Sequence, residues 1–232
     1  MVEAAQSRKE SMNKLAWVRA YVAIALAAFV SAVPLAAFAQ DCPLEGSGTR
    51  NDPTQNVLKN RVDPPATFTE MTVTEFKQEL KPNLGLPRTR AKFTDDQLAL
   101  VSPDELRGVT LTGYILRAVK QGKENTNCGS KTRTDVHVWM YSATRLDKDA
   151  RTGLRGKSVV VEATPSWQDN HPDWKASRLE KIGADRVKVK ISGWVMYDPE
   201  HPDKMGKTRG TLWEIHPVTR IEFWTGTEWQ DL

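Results

Sequence analysis

The sequence contains no HExxH, no CxxC pair, no GxSxG and no GxxxxGK[ST]. Those absences remove the zinc-protease, thioredoxin-like, serine-hydrolase and P-loop classes, because each chemistry depends on that residue spacing. Cysteine is scarce, with only Cys42 and Cys128 present. Two thiols cannot build a tetrathiolate metal site, and in an oxidising compartment an even pair most simply forms one disulfide. An excess of one charge is also missing. The 33 Lys and Arg stand against 29 Asp and Glu, which is no polyanion-binding signature.

One long apolar run does occur, and it lies at the N-terminus. Arg8, Lys9, Lys14 and Arg19 precede apolar residues from Tyr21 to Ala39, ending in Ala37-Phe38-Ala39. A basic stretch, an apolar stretch and a small-x-small end form a secretory signal peptide, so residues 1–39 are expected to be cut off after Ala39. The run approaches the ~20 residues that span a bilayer, but Pro34 and its many alanines argue against a permanent membrane span. Gln40 and Asp41 separate Cys42 from that cleavage point, which argues against a lipid anchor, and Met12 offers a second start. Removing four basic and two acidic side chains with residues 1–39 takes the formal charge from +4 to +2. The expected location is periplasmic or secreted.

The mature chain reads as an arm over 40–108 and a β domain over 109–232. From Asp41 to about Pro65 the chain is rich in Gly, Asn, Asp, Pro and Arg and has no period, so an irregular arm is expected. Short helices are expected over Val73–Leu80 and from Ser102-Pro103, where Ser is a good N-cap and Pro fits the first turn. Alternation then predicts strands at Val109–Leu116, Asp135–Tyr141 and Ser158–Thr164, a helix near Asp173–Ile182, and strands at Val187–Met196 and Arg209–Trp224. Pro217 has no N–H for a ladder and should mark an edge or a bulge.

Three strands, a helix and two strands resemble the order of an OB-fold, a five-stranded Greek-key barrel. The expected class is therefore mainly β, an OB-like barrel behind an arm with short helices. The segments Gly193-Trp-Val-Met-Tyr-Asp198 and Thr211-Leu-Trp-Glu-Ile-His-Pro-Val218 also resemble a family of exported bacterial proteins without an assigned activity. That resemblance implies a fold and no reaction.

Within the strands, Asp135 and His137 share one face, and Glu214 and His216 share another, since residues two apart in a strand project to the same side. Imidazole and carboxylate together hold divalent metals. His137, Glu162, Glu214 and His216 are therefore candidate metal ligands; in a purely structural role Glu214 and His216 would instead hydrogen-bond backbone or lock the final strand against the arm. The other two histidines sit in His171-Pro-Asp173 and His201-Pro-Asp203 and read as ordinary turn residues. Trp139, Tyr141 and Trp194, with Lys188 and Lys190, could form a stacking surface for sugars or bases, unless the arm covers them. Lys207, Arg209 and Arg220 could reach phosphates, countered by Glu214 and Glu222.

Three functions fit these features. The leading expectation is an exported binding or interaction module that needs no cofactor, its ligand a small molecule, glycan, nucleic acid or protein. The second is a metal-dependent hydrolase of the phosphodiesterase or nuclease type using His137, Glu162, Glu214 and His216, distinguished by whether those side chains converge within ~5 Å. The third is a structural accessory of an envelope assembly docking through the arm.

Overall fold

A computed structural model describes residues 42–48, 52–142 and 153–232. The proposed export segment and its cleavage point lie outside them. Among the described residues no helix is long and apolar enough to cross a membrane.

Seven strands form one sheet: β1 (Phe68–Thr72), β2 (Gly108–Lys120), β3 (Val136–Tyr141), β4 (Val159–Ala163), β5 (Lys188–Tyr197), β6 (Trp213–Trp224) and β7 (Trp229–Asp231). Strands β2 to β6 close into a five-stranded barrel in the order β2-β3-β4-β6-β5-β2, with β4 and β6 parallel. This is the expected OB-like barrel.

Alternation explains the strands. On β3, Val136, Val138 and Met140 are buried inside, while His137, Trp139 and Tyr141 face out. Val161 of β4 pairs with Ile215 of β6, and both are completely buried in the core with Leu111, Ile115, Val189 and Ile191. Each such side chain stabilises the fold by roughly 1.5–3 kcal/mol relative to exposure.

Two strands flank the barrel without having been expected. β1 adds parallel to β2, with Phe68 opposite Gly108, so the arm donates a strand to the sheet. Only Met71 of β1 is buried, which leaves no alternation to detect. β7 is a three-residue edge strand on β6. Pro217 falls within β6 as a cis proline, and the register slips next to it, from Ser192 opposite Arg220 to Gly193 opposite Val218. That slip is the anticipated bulge. Gly193 is required there, because a Cβ would come within 2.2 Å of the Pro217 carbonyl oxygen.

The helices are set by their caps. α1 (Pro53–Lys59) begins at Asp52, whose carboxylate accepts from the Gln55 N–H, with Pro53 in the first turn. α2 (Val73–Glu79) follows the expected position with a Thr72/Glu75 capping box. α3 runs Asp95–Glu105 rather than starting at Ser102. Thr94 and Gln97 form a reciprocal capping box, whereas in the similar Ser102-x-x-Glu105 pattern Ser102 Oγ donates to the Leu98 carbonyl and Glu105 pairs with Arg90, and Pro103 is absorbed near the end of the helix. Between β4 and β5 lie two helices, α4 (Pro165–Asn170) and α5 (Ala176–Ala184), where one was expected. α5 buries Leu179 and Ile182 on the barrel core, and its Gly183 sits against β2, where a Cβ would meet the Ile115 carbonyl oxygen at 2.6 Å.

Candidate metal centre on the outer barrel face

Residues two apart on a strand share a face, and the strand pairing carries that face across the sheet. His137 on β3 stands directly opposite Glu162 on β4, and Val161, beside Glu162, stands opposite Ile215 on β6. Val161 and Ile215 point inward, so Glu162, Glu214 and His216 point outward, on the same side as His137.

This outer face is roofed by the arm. Asn60 Nδ2 of the arm donates to the carbonyls of Leu44 and Thr126, and Asn56 Nδ2 donates to that of Glu45. Thr126 Oγ1 donates to Asn56 Oδ1 at 2.6 Å. Cys42 and Cys128 are disulfide-bonded as expected, which fastens residues 42–48 to the 124–128 loop. Under this roof lies a cavity of about 250 Å³, lined among others by Lys59, Glu124, His137, Glu162, Asp198, His201 and Glu214.

Three of the four ligand candidates, His137, Glu162 and Glu214, line the cavity, and the fourth, His216, lies fully buried behind them. Glu162 Oε2 lies 2.9 Å from His137 Nε2 and 3.1 Å from His216 Nδ1, while Glu214 Oε1 is 3.2 Å from the same His216 nitrogen. These side chains contact one another rather than backbone. Two more carboxylates join them. Asp135 Oδ2 is 3.8 Å from His216 Nε2, and Glu124 Oε1 is 3.9 Å from His137 Nε2. Asp135 Oδ1 accepts from Asn127 Nδ2 at 2.9 Å. Asp135 Oδ2 and His216 Nε2 are buried without any hydrogen-bond partner. Orphaned polar atoms of this kind are costly and call for an explanation, an ion among them.

The electrostatics push neighbouring groups apart. Burial would raise the pKa of Glu162, but the His137 and His216 charges outweigh it and hold this carboxyl well below its usual range. Burial raises the Glu124 pKa, and the Asp135 and Glu162 charges push it further, to about 7. Glu214 is likewise raised by burial and by Glu162 and Asp198. For His216 burial acts downward, yet the Glu162 and Glu214 carboxylates carry it up to about 10. Such spreads among adjacent groups mark sites built for proton or metal chemistry more often than plain cores.

Toward the rim, Asp198 holds His201 Nδ1 at 2.7 Å and also pairs with Arg209. Arg209 reaches Glu214 Oε2 at 3.4 Å as well. It is therefore a buried strut of the site and not a surface cation for phosphates. Lys59 pairs with Glu200 at 3.0 Å; burial acts to lower its pKa, but Glu200, Asp198, Glu162 and Glu214 raise it on balance.

The aromatic set does not gather into one surface. Trp194 registers with Gly108 and Trp139 with Arg117, nine residues along β2, on the order of 30 Å at the strand rise. The arm covers Trp194, whose Nε1 donates to the Asp63 carbonyl beneath the Arg61 guanidinium. Lys190 pairs with Glu70 at 2.8 Å and lies over Trp229. Tyr141 and Lys188 flank Tyr114 from β3 and β5 and line two adjoining depressions that share Thr74 and Ser142, away from Trp139 and Trp194. Trp139 stays beside His137, with ring centroids 6.2 Å apart, so it flanks the carboxylate cluster.

Several members of the site come from loops. Glu124 and Asn127 sit in a Gly/Asn-rich loop, Lys59 in the arm, and Asp198 and His201 in a turn, where no periodicity marks them. No protein-family model, curated protein or solved structure matches the chain.

Proposed function

We propose that the protein is a divalent-metal-dependent hydrolase, exported through the 1–39 segment, whose metal is held by donors among Asp135, His137, Glu162 and His216. One observation carries this: donors from three strands and the β3 entry converge beneath a cavity while His216 Nε2 and Asp135 Oδ2, 3.8 Å apart, have no hydrogen-bond partner. Nitrogen and carboxylate donors are those of catalytic zinc and manganese sites. A metal bound there would make a hydroxide nucleophile at neutral pH by lowering the pKa of its water.

The chain's own residues supply the rest. Glu162, kept ionised, is an anionic donor at all working pH values, and Arg209 fixes Glu214 and Asp198 in place. Lys59 and His201 line the mouth and offer positive charge and a proton to a substrate. At about 250 Å³ the cavity is smaller than the ~300–1,000 Å³ that encloses a drug-sized ligand. It fits a single scissile group with the remainder of the substrate outside, as a phosphodiester linkage would require.

The test is metal content of the purified chain beginning at Gln40, alongside His137→Ala and His216→Ala, with hydrolysis of bis(p-nitrophenyl) phosphate as the activity probe. Metal bound in proportion to protein, lost in both variants together with hydrolysis, is the expected result. No metal in the parent chain, with both variants folded, would overturn the reading in favour of a binding module.

A further inference from the structure

We propose that the cavity holds two divalent cations rather than one, with the Asp135 carboxylate bridging them; this rests on the metal-dependent reading above. The donors fall into two sets that share one residue. Glu124, Asp135 and His137 bring one ligand atom each within 4.8 Å of the others, and so do Asp135, Glu162 and His216. Only Asp135 belongs to both. It is completely buried, one oxygen is steadied by Asn127, and the other has no hydrogen-bond partner. A carboxylate with one oxygen oriented and the other free of hydrogen bonds, standing between two imidazole-carboxylate groups, has the disposition of a bridge.

The carboxylates at the cavity outnumber the fixed cations paired to them. Asp52 also lines the cavity, but its oxygens are taken by Thr54 Oγ1 and the Gln55 and Ala91 N–H groups. Lys59 is matched by Glu200 and Arg209 by Asp198. Glu124, Asp135, Glu162 and Glu214 then remain with no fixed cation of their own, apart from the longer approach of Arg209 to Glu214. Asp135 and Glu162 are buried, where an uncompensated charge costs several kcal/mol. Paired ions ~3.5–4 Å apart clamp the attacking and leaving oxygens of an in-line displacement, which suits the phosphodiester class.

The experiment loads the chelator-stripped chain with Mn²⁺ alone and reads stoichiometry by calorimetry and, after dialysis, by elemental analysis. Electron paramagnetic resonance reports whether the ions are coupled. Two Mn²⁺ per chain with a coupled spectrum are expected. Glu124→Gln should fall to one ion with an isolated Mn²⁺ spectrum, and Asp135→Asn should lose the coupling, while circular dichroism shows both variants folded. One ion in the parent chain would overturn the bridge and leave the single-metal hydrolase standing. No ion would overturn both. Two ions unaffected by Glu124→Gln and Asp135→Asn would place the second elsewhere and overturn the bridge.

Discussion

His137 and Glu162 stand directly opposite each other across β3 and β4, with Nε2 2.9 Å from Oε2 on the outside of the barrel. The same carboxylate oxygen reaches His216 Nδ1, so Glu162 is the anion on which both imidazoles depend. Glu162→Gln keeps the shape and removes that charge. In metal-free protein the change is expected to destabilise the fold by about 3–5 kcal/mol, the cost of removing one partner from a buried charged pair. Metal affinity should fall by more than the ~10–100-fold typical of losing an outer hydrogen-bond partner. Urea unfolding in chelator and competition with a chelating dye measure the two effects separately, and an unchanged affinity would remove Glu162 from the ligand set.

Asn127 provides the complementary case. It touches no proposed ion and acts only by holding Asp135 Oδ1 through its Nδ2. Asn127→Ala should therefore weaken metal binding about 10–100-fold. Asn127→Asp would place a second carboxylate against Asp135 and should be worse than the alanine in metal-free stability. The same dye competition reads the first effect and thermal unfolding the second; equal behaviour of parent and alanine variant would make Asn127 a loop residue and nothing more.

The barrel was legible because its strands alternate over long runs: Lys188–Tyr197 and Val136–Tyr141 declare which residues point inward with no knowledge of their neighbours. The same period put Asp135 with His137, and Glu214 with His216, on common faces. Their convergence depended on register, Val161 opposite Ile215 and His137 opposite Glu162, and register is a long-range property that no single strand contains. Glu124, Lys59, Asp198 and His201 come from aperiodic segments and gain their roles only when the arm and its disulfide close over the face. α3 was misplaced because Ser102-Pro103 is a plausible start in isolation, whereas the Thr94/Gln97 capping box eight residues earlier satisfies two backbone donors at once.

The Cys42–Cys128 bridge spans 86 residues and joins the arm to the loop that carries Glu124 and Asn127. On the chain-entropy account, closing a loop of that length stabilises the fold by about 4–5 kcal/mol. Reduction, or the paired Cys42→Ser/Cys128→Ser change, should lower the urea midpoint accordingly. It should also reduce metal affinity, because the roof over the site loses its fastening. A lowered midpoint with unchanged affinity would confine the disulfide to a stabilising role.

His201 and Asp198 tie stability to pH away from the metal ligands. The hydrogen bond to Asp198 and then its charge outweigh burial and raise the His201 pKa above 6.5. Burial would raise the Asp198 pKa above 3.8, yet Arg209, His201 and Lys59 together lower it. A raised imidazole stabilises the fold fully below pH 6.5 and loses that contribution as the pH climbs through its folded-state value. A depressed carboxyl contributes above 3.8 and loses its share as the pH falls. The pair is therefore strongest between those limits. The His201 side chain is 44% exposed, so solvent screening keeps its share at roughly 0–1 kcal/mol, which is up to about 2–4 °C in a chain of this size. Melting curves of parent and His201→Asn in chelator should differ most in mildly acidic buffer and converge as the pH rises above neutrality. A gap that widened toward alkaline pH would mean that the folded protein prefers the neutral imidazole, and the Asp198 contact would then have to be read as a bond to neutral His201.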